Sequence, residues 1–340
     1  AAGTGRIPQR RWRRRGREEW SGLKSAVPGR ILDTGYWIPG GSGLQLRWEG
    51  SRVLLVMVEN GSVWINGRLC APEEAGISPF DHGLTVGTGV FETLVAKDGA
   101  PFAFTRHYKR LTRSAEVLGM EAPSSELLRE AMTAVMVANG LDEGAARVRI
   151  TVTGGEGPLG SDRGAGELTV IVAAVEAPVY GEMVDVAIVP YTRNESGALV
   201  GVKSTSYGEN VVALARAKKA GAGEAIFGNT QHQLCEGSGS NVFLMLDDHL
   251  VTPPLSSGCL AGVTRALVLE LCGREGIPVE RKPVPLTALA GAEEAFLTST
   301  TREVQPIRSV DGVDLRDVPG EMTLQLREAF RAWAAKDIDP

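Results

Sequence analysis

Strand-type and helix-type runs alternate from Val63 to the end of the chain, and this alternation restricts the fold to a mixed α/β (α+β) class. Val63-Trp64-Ile65 and Arg68-Leu69-Cys70 flank Asn66-Gly67, a dipeptide that tolerates the positive φ angles of a tight hairpin turn. Phe91-Glu92-Thr93-Leu94-Val95-Ala96 and Pro101-Phe102-Ala103-Phe104 flank Lys97-Asp98-Gly99 in a second hairpin. Apolar residues at helical spacing predict helices over 106–118 and 124–139, with Ser124 and Ser125 as caps. The runs 147–153 and 168–175 are β-type. Beyond a stretch with Pro178 and Gly181 come strands over 185–190, 224–228, 241–246 and 295–298. Helices over 210–220, 264–275 and 321–335 are interleaved with them.

The expected organisation is an α+β N-terminal domain over 57–175, a linker over 176–184 and a larger α/β domain over 185–340. A chain of 340 residues is long enough for two such domains. Its 43% hydrophobic and 23% charged residues are those of a soluble globular protein. A net charge of −5 gives no reason to expect nucleic acid or an anionic membrane as partner. No apolar run approaches the roughly 18 residues that a membrane-spanning helix needs. Cys70, Cys235, Cys259 and Cys272 are widely spaced and form no CxxC pair. They read as neither a disulfide framework nor a metal site, and a cytoplasmic location is expected.

Residues 1–56 have a different texture. They hold four of the six tryptophans (Trp12, Trp20, Trp37, Trp48) and the basic run Arg10-Arg11-Trp12-Arg13-Arg14-Arg15, without hydrophobic periodicity. The expectation is a disordered or non-native extension, with translation starting at or near Met57. A nucleic-acid-binding arm with Trp12 as a stacking partner is the alternative from another functional class. It leaves the motifs from Asp81 onward without a role.

Lys203 lies in Gly201-Val202-Lys203-Ser204-Thr205-Ser206-Tyr207, just before a helical run, and Glu236 lies in a small-residue turn that leads into a strand. Taken singly, each is an ordinary solvated charge. Together they are the minimal equipment for pyridoxal phosphate chemistry: an amine that condenses with a carbonyl and a carboxylate that keeps a ring nitrogen protonated. Such a cofactor also needs an anchor for a dianionic phosphate. Gly262-Val263-Thr264 opens a predicted helix, where free N–H groups and the positive end of the helix dipole attract an anion. On that segment alone, Thr264 reads as a helix cap. Thr298-Ser299-Thr300-Thr301 is a second hydroxyl cluster, which alone reads as a turn. Arg110 can reach a phosphate through a charge-assisted bond. His107 reads as a packed structural histidine, and Asp81-His82-Gly83 has no nucleophile beside it.

The order of these pieces resembles the class IV pyridoxal-phosphate enzymes, the fold-type IV group of branched-chain aminotransferases, D-amino-acid aminotransferases and 4-amino-4-deoxychorismate lyases. The matching pieces begin with Asp81-His82-Gly83, Gly87-Thr88-Gly89-Val90-Phe91-Glu92-Thr93 and His107-Tyr108-Lys109-Arg110-Leu111. They continue with Val202-Lys203-Ser204 and Glu236-Gly237-Ser238-Gly239-Ser240-Asn241-Val242-Phe243. The last are Leu260-Ala261-Gly262-Val263-Thr264-Arg265 and Leu297-Thr298-Ser299-Thr300-Thr301-Arg302-Glu303-Val304. The resemblance implies a two-domain fold, pyridoxal 5'-phosphate as cofactor, and Lys203 as its covalent attachment. It implies Glu236 at the ring nitrogen, with Arg110, Thr264, Thr300 and the backbone N–H of Val263 at the phosphate. It further implies a homodimer acting on a small molecule, with the cleft between domains closed by the partner subunit and Phe91 and Thr93 lining the substrate pocket.

Within that group, D-amino-acid aminotransferases trap the substrate carboxylate with an Arg and a His in the loop equivalent to 154–164, where this chain has Leu159 and Ser161. The lyases commonly place an Arg near Leu159; Arg163 stands a few residues later as its substitute. Branched-chain enzymes usually continue the first motif as Phe-Glu-Gly-Ile-Arg, against Phe91-Glu92-Thr93-Leu94-Val95 in this chain. Leu159 and Arg163 therefore join Phe91 and Thr93 as expected pocket residues. The texture around Phe91 and Lys203 ranks 4-amino-4-deoxychorismate lyase first, giving 4-aminobenzoate and pyruvate for folate synthesis. An amino-acid aminotransferase ranks second.

Overall fold

Alternating side chains on the long strands decide where the first core lies. The computed structural model describes residues 61–162, 164 and 166–340, together with four backbone strands nearer the N-terminus. Those four form antiparallel pairs, β1 (Gly29–Ile31) with β2 (Trp37–Pro39) and β3 (Leu44–Glu49) with β4 (Arg52–Met57). The rest of the 1–56 extension, including its basic run, lies outside the described residues. Gly61–Pro340 is a compact unit of its own.

Within that unit, β5 (Val63–Ile65), β6 (Arg68–Cys70), β7 (Gly89–Lys97), β8 (Ala100–Pro101), β9 (Ala145–Thr153) and β10 (Thr169–Glu176) form a sheet ordered β6-β5-β10-β9-β7-β8. On β9, Ala146, Val148, Ile150 and Val152 are buried, whereas Arg147 and Arg149 point the other way. Val90, Leu94 and Ala96 of β7 and Val170, Val172 and Ala174 of β10 join the buried face. A short helix α1 (His82–Thr85) precedes β7, and α2 (Phe104–Val117) and α3 (Ser125–Ala138) follow β8. Leu111 and Ala115 of α2 and Leu128, Met132 and Met136 of α3 cover that face and complete the core. Ser124 caps α3, its hydroxyl accepting from the Leu127 N–H at 3.2 Å. The second hairpin is shorter than its apolar run: β8 ends at Pro101, and Phe104 opens α2. Burial decides this, because the helix start seats the Phe104 ring at 2% exposure in the core, stacked 5.9 Å from Tyr108.

The second sheet comprises β11 (Val184–Arg193), β12 (Glu224–Asn229), β13 (Leu234–Gly237), β14 (Asn241–Leu246), β15 (His249–Thr252), β16 (Val279–Arg281), β17 (Ala295–Ser299), β18 (Glu303–Val310) and β19 (Val313–Asp314). Its order is β13-β12-β11-β18-β17-β14-β15-β16, with β19 paired to β18. α4 (Gly208–Lys219) crosses between the parallel strands β11 and β12. α5 (Val263–Glu275) and α6 (Glu321–Lys336) pack with Phe243 and Phe296, whose rings stack at 4.8 Å. Val186, Ile226, Leu234, Val242 and Leu297 belong to a separate core cluster. β18 escapes sequence reading because Pro306 interrupts its apolar pattern.

Asp81 is the N-cap of α1 and accepts from the Gly83 N–H at 2.7 Å, Thr153 Oγ1 at 2.8 Å and Thr169 Oγ1 at 2.7 Å. His82 Nε2 lies 2.8 Å from the Pro158 carbonyl. The pair is a structural clip that ties α1 to the 154–168 loop.

Leu94 is fully buried in the first core. Leu94→Ala is expected to lower unfolding free energy by about 2 to 5 kcal/mol in urea titration; an unchanged midpoint would contradict its placement.

Candidate active site

The polar face of the first sheet does not meet solvent alone. It forms one wall of a cavity of about 1060 Å³. Phe91 and Thr93 of β7 and Arg147 and Arg149 of β9 line that wall. The Lys203 segment, the turn after Glu236, the start of α5 and the 298–301 turn line the rest.

Lys203 is held by its backbone along the edge of β7. Its carbonyl accepts from the Phe91 N–H at 2.9 Å, and its own N–H donates to Ser114 Oγ at 3.2 Å. The side chain lies half-buried, with Nζ 4.4 Å from the Phe91 ring centroid and 5.7 Å from that of Tyr207. Desolvation, followed by the nearby positive charge of Arg110, pulls the amine down to a pKa of about 8. Tyr207 meets the Phe91 ring edge-on at 5.1 Å, and burial pushes its phenol up to about 12.

Glu236 sits next to Gly237, the last residue of β13, where a Cβ would lie 2.2 Å from Ser240 Oγ and have to displace that hydroxyl. Oε2 of Glu236 accepts from the Leu260 N–H at 2.9 Å, and Oε1 lies 3.5 Å from Arg193 Nε. Burial pushes the carboxyl above its ordinary pKa, opposed by Arg193 and the Leu260 N–H.

A buried group of Glu92, Arg110 and His107 brings one guanidinium, that of Arg110, to the cavity lining. On β7, Phe91 and Thr93 face the cavity, so the pleat turns Glu92 toward α2. There Arg110 donates from Nε and Nη2 to the two Glu92 oxygens at 2.7 and 2.8 Å, and from Nη1 to the Ala261 carbonyl at 3.1 Å. His107 Nδ1 is 2.6 Å from Glu92 Oε2. Burial alone would raise the Glu92 pKa, but Arg110 and His107 outweigh it and hold the carboxyl well below the usual range. Burial lowers the pKa of His107, keeping the ring neutral. A neutral ring that donates from Nδ1 leaves Nε2 to accept from Thr300 Oγ1, 3.4 Å away. His107 is thus packed, bonded and structural.

α5 begins beside this group. Gly262 is its N-cap, and no side chain caps the helix. Thr264 is therefore the second helical residue, buried at 4% exposure, rather than the cap itself. A Cβ on Gly262 would lie 2.0 Å from Asn241 Oδ1, so a larger residue there would have to displace that amide. Val263, Thr264 and Thr300 all line the cavity with Arg110.

Eight of the residues expected from the sequence thus share one cavity: Lys203, Glu236, Arg110, Val263, Thr264, Thr300, Phe91 and Thr93. Leu159 is 77% exposed and outside the cavity lining. Arg163 lies outside the described residues. Sequence reasoning assigned no role to Glu92, Arg147, Arg149, Arg193 or Tyr207. Alternation could have found three of them, since it puts Glu92 on the apolar face of its strand and Arg147 and Arg149 together on the other.

Residues 89–310 match the family model described as amino-transferase class IV. The chain belongs to the class IV aminotransferases. It is 32% identical to a branched-chain-amino-acid aminotransferase of Pseudomonas aeruginosa, over 80% of this chain and 92% of the relative. It is 29% identical to an aminodeoxychorismate lyase of Bacillus subtilis, over 79% and 93%. Its fold matches the branched-chain amino acid aminotransferase of Thermobaculum terrenum in its pyridoxal phosphate holo-form, with a TM-score of 0.73 at 27% identity over 82% and 96%. This class IV aminotransferase therefore has the fold-type IV architecture and uses pyridoxal 5'-phosphate. The cavity fits that cofactor chemically: it offers an amine, a desolvated carboxylate, and an uncapped helix start beside a buried arginine.

An amine with a pKa of about 8 makes its reactivity toward an aldehyde pH-dependent in a defined sense. Trapping of pyridoxal phosphate on the apoenzyme with borohydride is expected to accelerate about tenfold per pH unit below that value and to level off above it. A rate still climbing toward the ordinary lysine value of 10.5 would mean that Lys203 is solvated.

Proposed function

We propose that Lys203 carries pyridoxal phosphate covalently, that Glu236 binds its ring nitrogen, and that Arg110, Thr264, Thr300 and the Val263 N–H bind its phosphate. One observation carries this reading: a single cavity joins a desolvated amine, a desolvated carboxylate and a helix start that no side chain caps. When bound, the cofactor supplies an electron sink for charge developing at the substrate Cα.

The chain's own residues supply the rest. Lys203, half neutral at pH 8 and mostly so above it, would hold the cofactor's aldehyde carbon, with loss of water, and when free would stand as a positioned general base near Cα. Glu236 would hold the ring N–H. Arg110 enters the site already aligned by Glu92, so little freedom is lost when it meets a phosphate oxygen. Phe91 fixes one wall, its ring lying 3.7 Å from the Arg149 guanidinium and 4.4 Å from Lys203 Nζ. Arg147 and Arg149, two residues apart on one face of β9, are suited to substrate carboxylates.

The reaction we favour is amino transfer between an amino acid and a 2-oxo acid, either bearing a second carboxylate. The aminotransferase relative above 30% identity supports ranking amino transfer ahead of the lyase that the motifs around Phe91 and Lys203 suggested. Cleavage of aminodeoxychorismate is the second reading, supported by the lyase relative and by a pair of arginines suited to the two carboxylates of that substrate. We extend the proposal to a homodimer, in which the exposed Leu159 loop meets the partner subunit, and to the cytoplasm, consistent with four free cysteines.

Purified enzyme incubated with glutamate and branched-chain 2-oxo acids should form 2-oxoglutarate and the corresponding amino acids. Release of 4-aminobenzoate from aminodeoxychorismate, without amino transfer, would reverse the ranking. Lys203→Ala should lose the borohydride-reducible adduct and reduce turnover by at least about a thousandfold; an adduct that persists would remove Lys203 from its role. Sedimentation should give twice the chain mass, and an active monomer would dismiss the dimer.

A further inference from the structure

Arg193 has no part in the cofactor contacts proposed above, yet its guanidinium faces the carboxylate of Glu236. It ends β11 and lies 4.1 Å over the ring of Phe227, itself only 1% exposed. Its Nη1 donates to Glu209 Oε2 at 3.0 Å, a pair whose acidic partner is 72% exposed and so contributes little. The stack, rather than that pair, fixes the guanidinium. Its Nε is buried, meets no acceptor in hydrogen-bond geometry, and lies 3.5 Å from Glu236 Oε1.

The surroundings of Glu236 make this contact consequential. One oxygen is held by the Leu260 N–H. Lys203 adds a positive charge, whereas the negative charge of Glu224 works against ionisation of Glu236. Glu224 is itself held by the Ser238 N–H at 3.0 Å and faced by Arg302 at 3.5 Å. Burial favours the neutral acid. A fixed cation at the carboxylate favours the anion, and it acts on the carboxylate it touches more strongly than on a partner beyond.

We propose that Arg193 is a positioning residue for the ring end of the cofactor site, holding Glu236 as a carboxylate so that the proton it shares with the pyridine nitrogen resides on the ring. The inference rests on the assignment of Glu236 to that nitrogen. A ring that keeps its proton draws electrons from Cα more strongly. Arg193 therefore acts on turnover rather than on substrate binding.

The test uses holoenzyme reconstituted with pyridoxal phosphate carrying ¹⁵N in the ring. The wild-type resonance is expected in the protonated-pyridine range. In Arg193→Met it should move toward the neutral-pyridine range, with kcat lower by about tenfold, the equivalent of one pKa unit, and KM little changed. Arg193→Lys should restore both, and Arg193→Gln serves in place of the methionine variant if that protein fails to fold. An unmoved resonance in Arg193→Met or Arg193→Gln, with a protonated wild type, overturns the role of Arg193 alone. A neutral ring in the wild type, with the Lys203 adduct intact, overturns the assignment of Glu236 and this inference with it.

Discussion

The buried ion group of Glu92, Arg110 and His107 is the interaction on which the site depends. A carboxylate inside the first core is tolerable only because a guanidinium meets both its oxygens and an imidazole meets one. The same arginine reaches the Ala261 carbonyl, one residue before the cap of α5, and the same histidine faces Thr300. One cluster thus fixes the β7 strand to α2 and brings α2 to the two segments proposed to bind the phosphate. Its members are buried, so solvent and salt screen it little.

Much of the architecture was legible because local patterns and tertiary demands agree. The 241–246 strand coincides with β14, and the 264–275 helix begins one residue late against α5. Legibility failed where a single residue answered to its neighbours in space. Phe104 reads as the end of a strand and becomes the first residue of a helix because the core needs its ring. Pro306 hides β18, although Phe296 pairs with it across the ladder.

The site was legible in its parts but not in its supports. Lys203, Glu236 and the Gly262-Val263-Thr264 start were visible as motifs, and the fold brings them to one cavity. Glu92, Arg193 and Tyr207 were not, because each matters through a neighbour distant in sequence: Arg110, Glu236 and Phe91 respectively. A charge next to a motif says nothing until the strand pleat shows which way it points.

The strand β9 serves the core and the cavity at once. Val148 and Ile150 hold the helices, while Arg147 and Arg149, interleaved with them, face the cavity. Alternation therefore separates two kinds of evolutionary change within nine consecutive residues. Substitutions at the inward positions are screened by folding. Those at the outward positions are screened only by what the cavity must hold. Relatives that share this scaffold can thus diverge in substrate through a few outward side chains, leaving the packed layer beneath them undisturbed.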